Sequence, residues 1–205
     1  MATRIEREPS FYKFDSESYL NTFAVTPELF EEALKNNLQG PNSGRNIHDE
    51  LFFGNEDGTY PEYIKFPVVY RYLGGNKMRD MIDTHKLHSF LISDRMKSVM
   101  EENGITGWKS FPVLVYDKEG NEIKGYNGFT VTGRGGRKKY LIPFNEIPYG
   151  EDAEYIQWDK SQWDGSDIFT IGFGLIATER VRLLFKQKKI TSPRFTPLSE
   201  RVTIL

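Results

Sequence analysis

Residues 146–167 carry Glu146, Glu151, Asp152, Glu154, Asp159, Asp164 and Asp167 against Lys160 alone, a local net charge of −6. Tyr149, Tyr155, Trp158 and Trp163 are interleaved with these acids. Such a mixture suits recognition of a basic partner: the acids speed encounter, and the aromatic rings supply anchors that become buried on contact. The candidate partner-binding residues are therefore Tyr149, Glu151, Asp152, Glu154, Tyr155, Trp158, Asp159, Trp163 and Asp164. The competing expectation is a solvated loop whose rings fold back onto the core.

A second candidate is "TGRGGRKK", which sets Arg134, Arg137, Lys138 and Lys139 among Gly133, Gly135 and Gly136. Glycine-rich backbone with cations can cradle phosphate, so a phosphate- or nucleic-acid-binding module is the alternative function. The glycine spacing fits neither the dinucleotide fingerprint nor the Walker loop, and the strand-like "YLIPF" follows where those motifs need a helix. A charged hairpin tip explains the segment equally well. Asp83, His85 and His88 lie close together in "DTHKLH", and His48 is the other histidine. A metal would need a third and a fourth ligand, so neither a metal nor a cofactor is expected. The chain has no cysteine, which excludes thiolate nucleophiles, thiolate metal sites and disulfides. It also lacks G-x-S-x-G and H-E-x-x-H, so no catalytic residue is assigned. An enzyme that assembles Asp, Glu, Ser or Tyr without a linear motif is a further alternative.

These residues need a scaffold, and the composition supplies one. The 205 residues are 38% apolar and 27% charged, with 15 Phe and 11 Tyr for burial. That suits a single domain over 1–205. A net charge of −2 and a pI near 6.0 give no global attraction to nucleic acid or to a membrane surface. The longest apolar run, "IFTIGFGLIA", is about half of the ~20 residues a spanning helix needs. The N-terminal "MATRIEREPS" has no apolar leader segment, and the cytoplasm is the expected compartment.

A strand is expected near Phe11–Phe14. "TPELFEEALKNNLQG" reads as a helix with Thr26 as cap and Pro27 in its first position. Residues 41–62 read as an irregular connection, "YIKFPVVYRYL" as a strand edged at Pro67, and 74–88 as a Gly-Gly turn with a short helix or loop. "WKSFPVLVYD", "IKGYNGFTVTG", "KKYLIPF", "IFTIGFGLIA", "ITSPRFTPL" and "RVTIL" read as extended. Residues 146–167 read as a long loop. Strands and helices do not alternate regularly, so the class is α+β, with a mixed or mainly antiparallel sheet and a few packed helices.

One phrase occurs twice. In "LISDRMKSVMEENGITGWKSFPV" (91–113), Ser93 can cap a helix whose stripe is Met96, Val99 and Met100, and Gly104 suits the left-handed position past its end. Shifted by 85 positions the phrase falls on "IATERVRLLFKQKKITSPRFTPL". Arg95 then matches Arg180, Ile105 matches Ile190, Thr106 matches Thr191 and Pro112 matches Pro197. The apolar trio matches Val181, Leu184 and Phe185, while Lys188 and Lys189 stand where Asn103 and Gly104 were. Two helix–strand units near 90–113 and 175–198, related by a weak internal repeat, are expected. The shared residues are caps, core and strand positions, which makes the repeat a scaffold.

The phrase "ISDRMKSVMEENGITGWKSFPV" resembles a bacterial family of polymorphic-toxin immunity proteins known from myxobacterial toxin loci. The segment "DIFTIGFGLIATERVRLLFKQKKITSPRFTPL" is similar to that family's closing segment. The resemblance covers about residues 60–205, while 1–60 match nothing. The second unit lacks the Thr-Gly step, and "GRGGRKK" is foreign to the family pattern. The resemblance implies a non-enzymatic protein that binds a cognate toxin in the cytoplasm, and it assigns no site residues.

Overall fold

The computed structural model describes residues 10–16, 22–28, 51–54, 59–62, 64–84, 90–146, 156–171, 174–198 and 203–204. The α+β class holds, with strands predominating. Six strands close a barrel: β2 (Ala24–Pro27), β3 (Val68–Gly74), β4 (Met81–Asp83), β5 (Phe90–Ser93), β6 (Trp108–Tyr116) and β8 (Tyr126–Val131), in the order β3-β2-β4-β5-β8-β6. The parallel pairing of β3 with β6 completes the ring. The short β7 (Glu122–Ile123) adds to β6. A five-stranded sheet stands beside the barrel, in the order β14 (Pro193–Pro197), β1 (Phe11–Ser16), β13 (Leu175–Thr178), β12 (Ile168–Thr170), β9 (Gly133–Arg134). A three-stranded sheet joins β10 (Lys138–Tyr140), β11 (Ile156–Trp158) and β15 (Thr203–Ile204). Both parallel and antiparallel pairs occur, the latter more often.

Alternation along the strands assigns the cores. Ile82 and Leu91 sit in one apolar cluster with Val25, Val68, Tyr70, Phe111 and Val115. Their chain neighbours Met81, Phe90 and Ile92 sit in another, because successive side chains leave a strand on opposite faces. That second cluster also holds Phe14, Leu175 and Ala177 of the five-stranded sheet, so the barrel wall and the sheet share a core. The far face of the sheet contributes Phe11, Phe169 and Ile176 to a third cluster with Trp158 and Leu198. The sheet is thus covered on both faces, which explains why "IFTIGFGLIA" is apolar throughout rather than alternating. The run is an antiparallel hairpin of β12 and β13, with Thr170 opposite Leu175, and not one strand.

Two nine-residue helices, α1 (Asp94–Glu102) and α2 (Glu179–Gln187), follow β5 and β13 directly. Ser93 caps α1 as expected, accepting the Met96 N–H at 3.0 Å. Met96 and Met100 of α1 and Val181, Leu184 and Phe185 of α2 enter the shared core. Gly104 follows α1 with φ 58°.

Four expectations need correction. Leu51–Phe53, placed in an irregular connection, are helical, and Leu51 and Phe52 are buried. The Leu51 carbonyl accepts the Thr130 hydroxyl at 2.6 Å, and Tyr60 donates to the same Thr130 oxygen at 2.6 Å. Met81–Asp83, expected in a loop or short helix, form β4, which is paired on both edges. Thr26 and Pro27 end β2, and the first helical residue is Glu28. The remainder of that expected helix lies outside the described residues. Finally, 146–167 is no continuous loop: it contains β11 and a 3-10 turn at Lys160–Gln162.

Candidate functional site

The acidic, aromatic segment does not present its tryptophans to solvent. Trp158 is fully buried, donates its indole N–H to the Gly135 carbonyl at 2.6 Å, and packs edge-on to Phe11 with ring centres 5.0 Å apart. It also stacks with Phe169 at 5.5 Å. A buried ring of this size contributes ~3–5 kcal/mol to folding. Trp158 is therefore a core residue and not the anchor expected of it. Trp163 is half-buried, donates to the Ser166 carbonyl at 2.9 Å and packs against the same Phe11.

The acids of the segment have local work. Asp159 caps the 3-10 turn, and hydrogen bonds from Ser161 hold its carboxyl below the usual carboxylate range. Asp164 accepts the backbone N–H groups of Arg134 at 2.8 Å and Ser166 at 2.9 Å. These contacts explain the residues structurally. Tyr149, Glu151, Asp152, Glu154 and Tyr155 lie outside the described residues, as do His48, His85 and His88.

The basic glycine segment is woven into the fold. Arg134 donates to the carbonyls of Val131 and Gly133, each at 3.1 Å, and of Phe53 at 3.2 Å. Its guanidinium thereby joins β8, β9 and the 51–53 turn. Lys138 lies over the Tyr140 ring at 4.3 Å, and Arg137 donates its backbone N–H to Gln162 at 3.4 Å. A side chain at Gly136 would collide with Gln162, and one at Gly135 would press on the Phe169 ring. The glycines admit neighbours of their own chain, which differs from a cradle open to phosphate.

The segments 91–113 and 176–198 take part in a pair of reciprocal clasps. Buried Asp80 accepts from Ser93 Oγ at 2.8 Å, Arg95 at 3.1 Å, and the N–H and Oγ1 of Thr191 at 2.8 and 2.9 Å. Buried Asp167 accepts from Thr178 Oγ1 at 3.3 Å, Arg180 at 2.7 Å, and the N–H and Oγ1 of Thr106 at 3.1 and 3.2 Å. Arg95 continues to the carbonyls of Lys188 and Lys189 past α2, at 2.6 and 2.8 Å. Arg180 continues to those of Asn103 and Gly104 past α1. Each arginine thus satisfies helix-end carbonyls of the opposite unit. Thr178 stands before α2 as Ser93 stands before α1, but its hydroxyl goes to Asp167 and makes no bond to the first turn of α2. Asp80 was not singled out from sequence; the identities at Arg95/Arg180 and Thr106/Thr191 are the signal that points to it.

Surface-facing polar groups with an apolar floor occur together beside α2. A groove of about 560 Å3 runs between α2 and β14, lined by Tyr12, Arg182, Lys186, Ile190, Phe195 and Pro197 among others. Arg182 makes a two-pronged ion pair with Glu179, both bonds 2.6 Å, and lies over the Tyr12 ring at 5.0 Å. The guanidinium holds the Glu179 carboxyl below its ordinary value, while burial and the adjoining Glu179 push the Tyr12 hydroxyl up. Lys186 stands one turn along the helix from Arg182 and is exposed. This arrangement fits a binding surface: one fixed and one exposed cation, aromatic walls and an open mouth. Among the described residues no cluster of three or more His, Asp or Glu is placed to hold a metal ion, and no helix is long and apolar enough to cross a membrane.

No protein-family model matches the chain, and no curated protein matches it.

Proposed function

We propose that the chain is a non-enzymatic binding protein that neutralises a cognate bacterial toxin in the cytoplasm. The observation that carries this reading is the phrase at 91–113, whose wording resembles that of toxin-immunity proteins. The positions of its polar residues support the reading. Ser93, Arg95 and Thr106 hold strands and helices together, as a scaffold signature should, and leave recognition to other parts of the surface. We further propose that the two helix–strand units descend from one duplicated unit. The reciprocal bonding of Asp80 and Asp167 supports that origin.

The test is co-expression with the product of the adjacent gene. That product alone should arrest growth, this chain should restore it, and the two should co-purify as a one-to-one complex. A harmless neighbour, or toxicity that this chain leaves unrelieved, rejects the proposal.

A further inference from the structure

Charge is distributed unevenly along this chain. Residues 179–194 hold six cations (Arg180, Arg182, Lys186, Lys188, Lys189 and Arg194) against the single acid Glu179, a net charge of +5. The whole chain carries −2, so the remaining residues carry −7. The segment of α2 and the strand that follows it is therefore rich in cations, with Arg180 and Arg182 paired to Asp167 and Glu179, and the groove lies there.

Two of these cations, Arg182 and Lys186, line the groove; among the described residues no acid lines it, and Glu179 pairs with Arg182 from beside it. Its floor and far wall are apolar, with Ile190, Phe195 and Pro197. The Arg182 side chain is already fixed by Glu179 and Tyr12, so little of its freedom remains to be lost on binding. The Lys186 side chain is exposed, so its ammonium can meet an incoming carboxylate. A strand added to the edge of β14 is a poor occupant. Pro193 and Pro197 supply no backbone donor, which is how natural sheets blunt an edge. Side chains entering the groove from above are the better fit.

The equivalent face of the other unit lacks these properties. At the positions matching Arg182 and Lys186, α1 has Lys97 and Glu101, and Ser110 stands where β14 has Phe195. One of two similar scaffold units thus carries a cationic, aromatic surface that the fold itself does not require.

We propose that the α2–β14 groove is the docking surface for the partner protein, and that it receives an acidic segment bearing an apolar side chain. The apolar group sits on Ile190 and Phe195, and the carboxylates pair with Lys186 and the flanking cations. The inference rests on the partner-binding reading above, and replaces a basic partner met by the 146–167 segment with an acidic one met by α2.

The test is fluorescence anisotropy with four labelled probes. These are a short helical peptide of Glu with Leu and Phe on one face, its Gln isostere, an oligoglutamate without apolar residues, and a single-stranded oligonucleotide. The intact chain should bind the acidic apolar peptide, with affinity falling as salt rises. Lys186→Glu should weaken that binding by about tenfold or more, whereas Lys118→Glu, the same charge change on the β6–β7 turn, should leave it unchanged. The Gln isostere and the oligoglutamate should each bind about tenfold more weakly than the acidic apolar peptide. Circular dichroism of both variants checks that they are folded. Absent peptide binding, equal loss in both variants, or oligoglutamate as good as the peptide overturns the proposal. Tighter binding of the oligonucleotide, lost in Lys186→Glu, overturns it in favour of a nucleic-acid site. These readouts do not depend on toxin rescue, so the docking surface and the toxin-binding function fail separately.

Discussion

Lys189 occupies the place after α2 that Gly104 occupies after α1, and both are left-handed, with φ 53° and 58°. Ser192 and Gly107 repeat the match at φ 83° and 86°. The fold imposes the same turn twice, and the sequence provides glycine for it once. A side chain in this region crowds its own carbonyl and costs ~1–2 kcal/mol, which glycine avoids. Lys189 is exposed, and it accepts the bond from Arg95 through its backbone carbonyl, which glycine retains. Lys189→Gly is therefore expected to stabilise the protein by ~1 kcal/mol, read as a rise in thermal midpoint. An unchanged or lower midpoint would show that the lysine side chain holds the turn by itself. Gly107→Ala should go the other way and cost more than ~3 kcal/mol, because a Cβ there collides with the Ile168 carbonyl.

The elements meet through the two clasps. Asp80 precedes β4 and ties α1 to the turn before β14, while Asp167 precedes β12 and ties α2 to the turn before β6. Each carboxylate is buried and surrounded by donors, so removing it leaves a threonine N–H without its acceptor and the half-exposed arginine with the helix-end carbonyls alone. Truncation at such a site costs ~1–3 kcal/mol. Asp80→Ala and Asp167→Ala should therefore destabilise by similar amounts, measured as a lower urea midpoint at unchanged slope. A cost below ~1 kcal/mol at either position would mean that water replaces the carboxylate and that the clasp adds little. The match between 91–113 and 176–198 points directly at this feature. Two of its four identities, Arg95/Arg180 and Thr106/Thr191, are clasp members. Their aspartates stayed hidden because they lie in other elements, outside the repeated window.

At the scale of the molecule, the barrel and the five-stranded sheet share the cluster that contains Phe14, Met81, Phe90, Leu175 and Phe185. Neither can open without exposing the other's apolar face, so a single cooperative transition is expected. Tryptophan fluorescence samples both regions, through Trp108 in the barrel and Trp158 between the sheets. Its urea transition should coincide with that followed by far-ultraviolet circular dichroism; two separated midpoints would mean two independent units. The α+β class, the α1 and α2 helices, the Ser93 cap and the β6, β8 and β14 segments were legible from sequence. They are local features, fixed by apolar periodicity, capping side chains and glycine. Closure of the barrel through β3 and β6 was not legible, nor was the role of β4, because pairing between distant segments leaves no periodic trace in three residues. Trp158 makes the division plain. Its chain neighbours are polar and suggest a surface, yet Phe11 and Phe169, far away in sequence, bury it. The sequence alone determined the segments whose periodicity and caps are local, among them α1, α2, β6, β8 and β14. Only the tertiary structure decided which aromatics face inward and which cations remain on the surface, since burial depends on what packs opposite a residue and not on its own type.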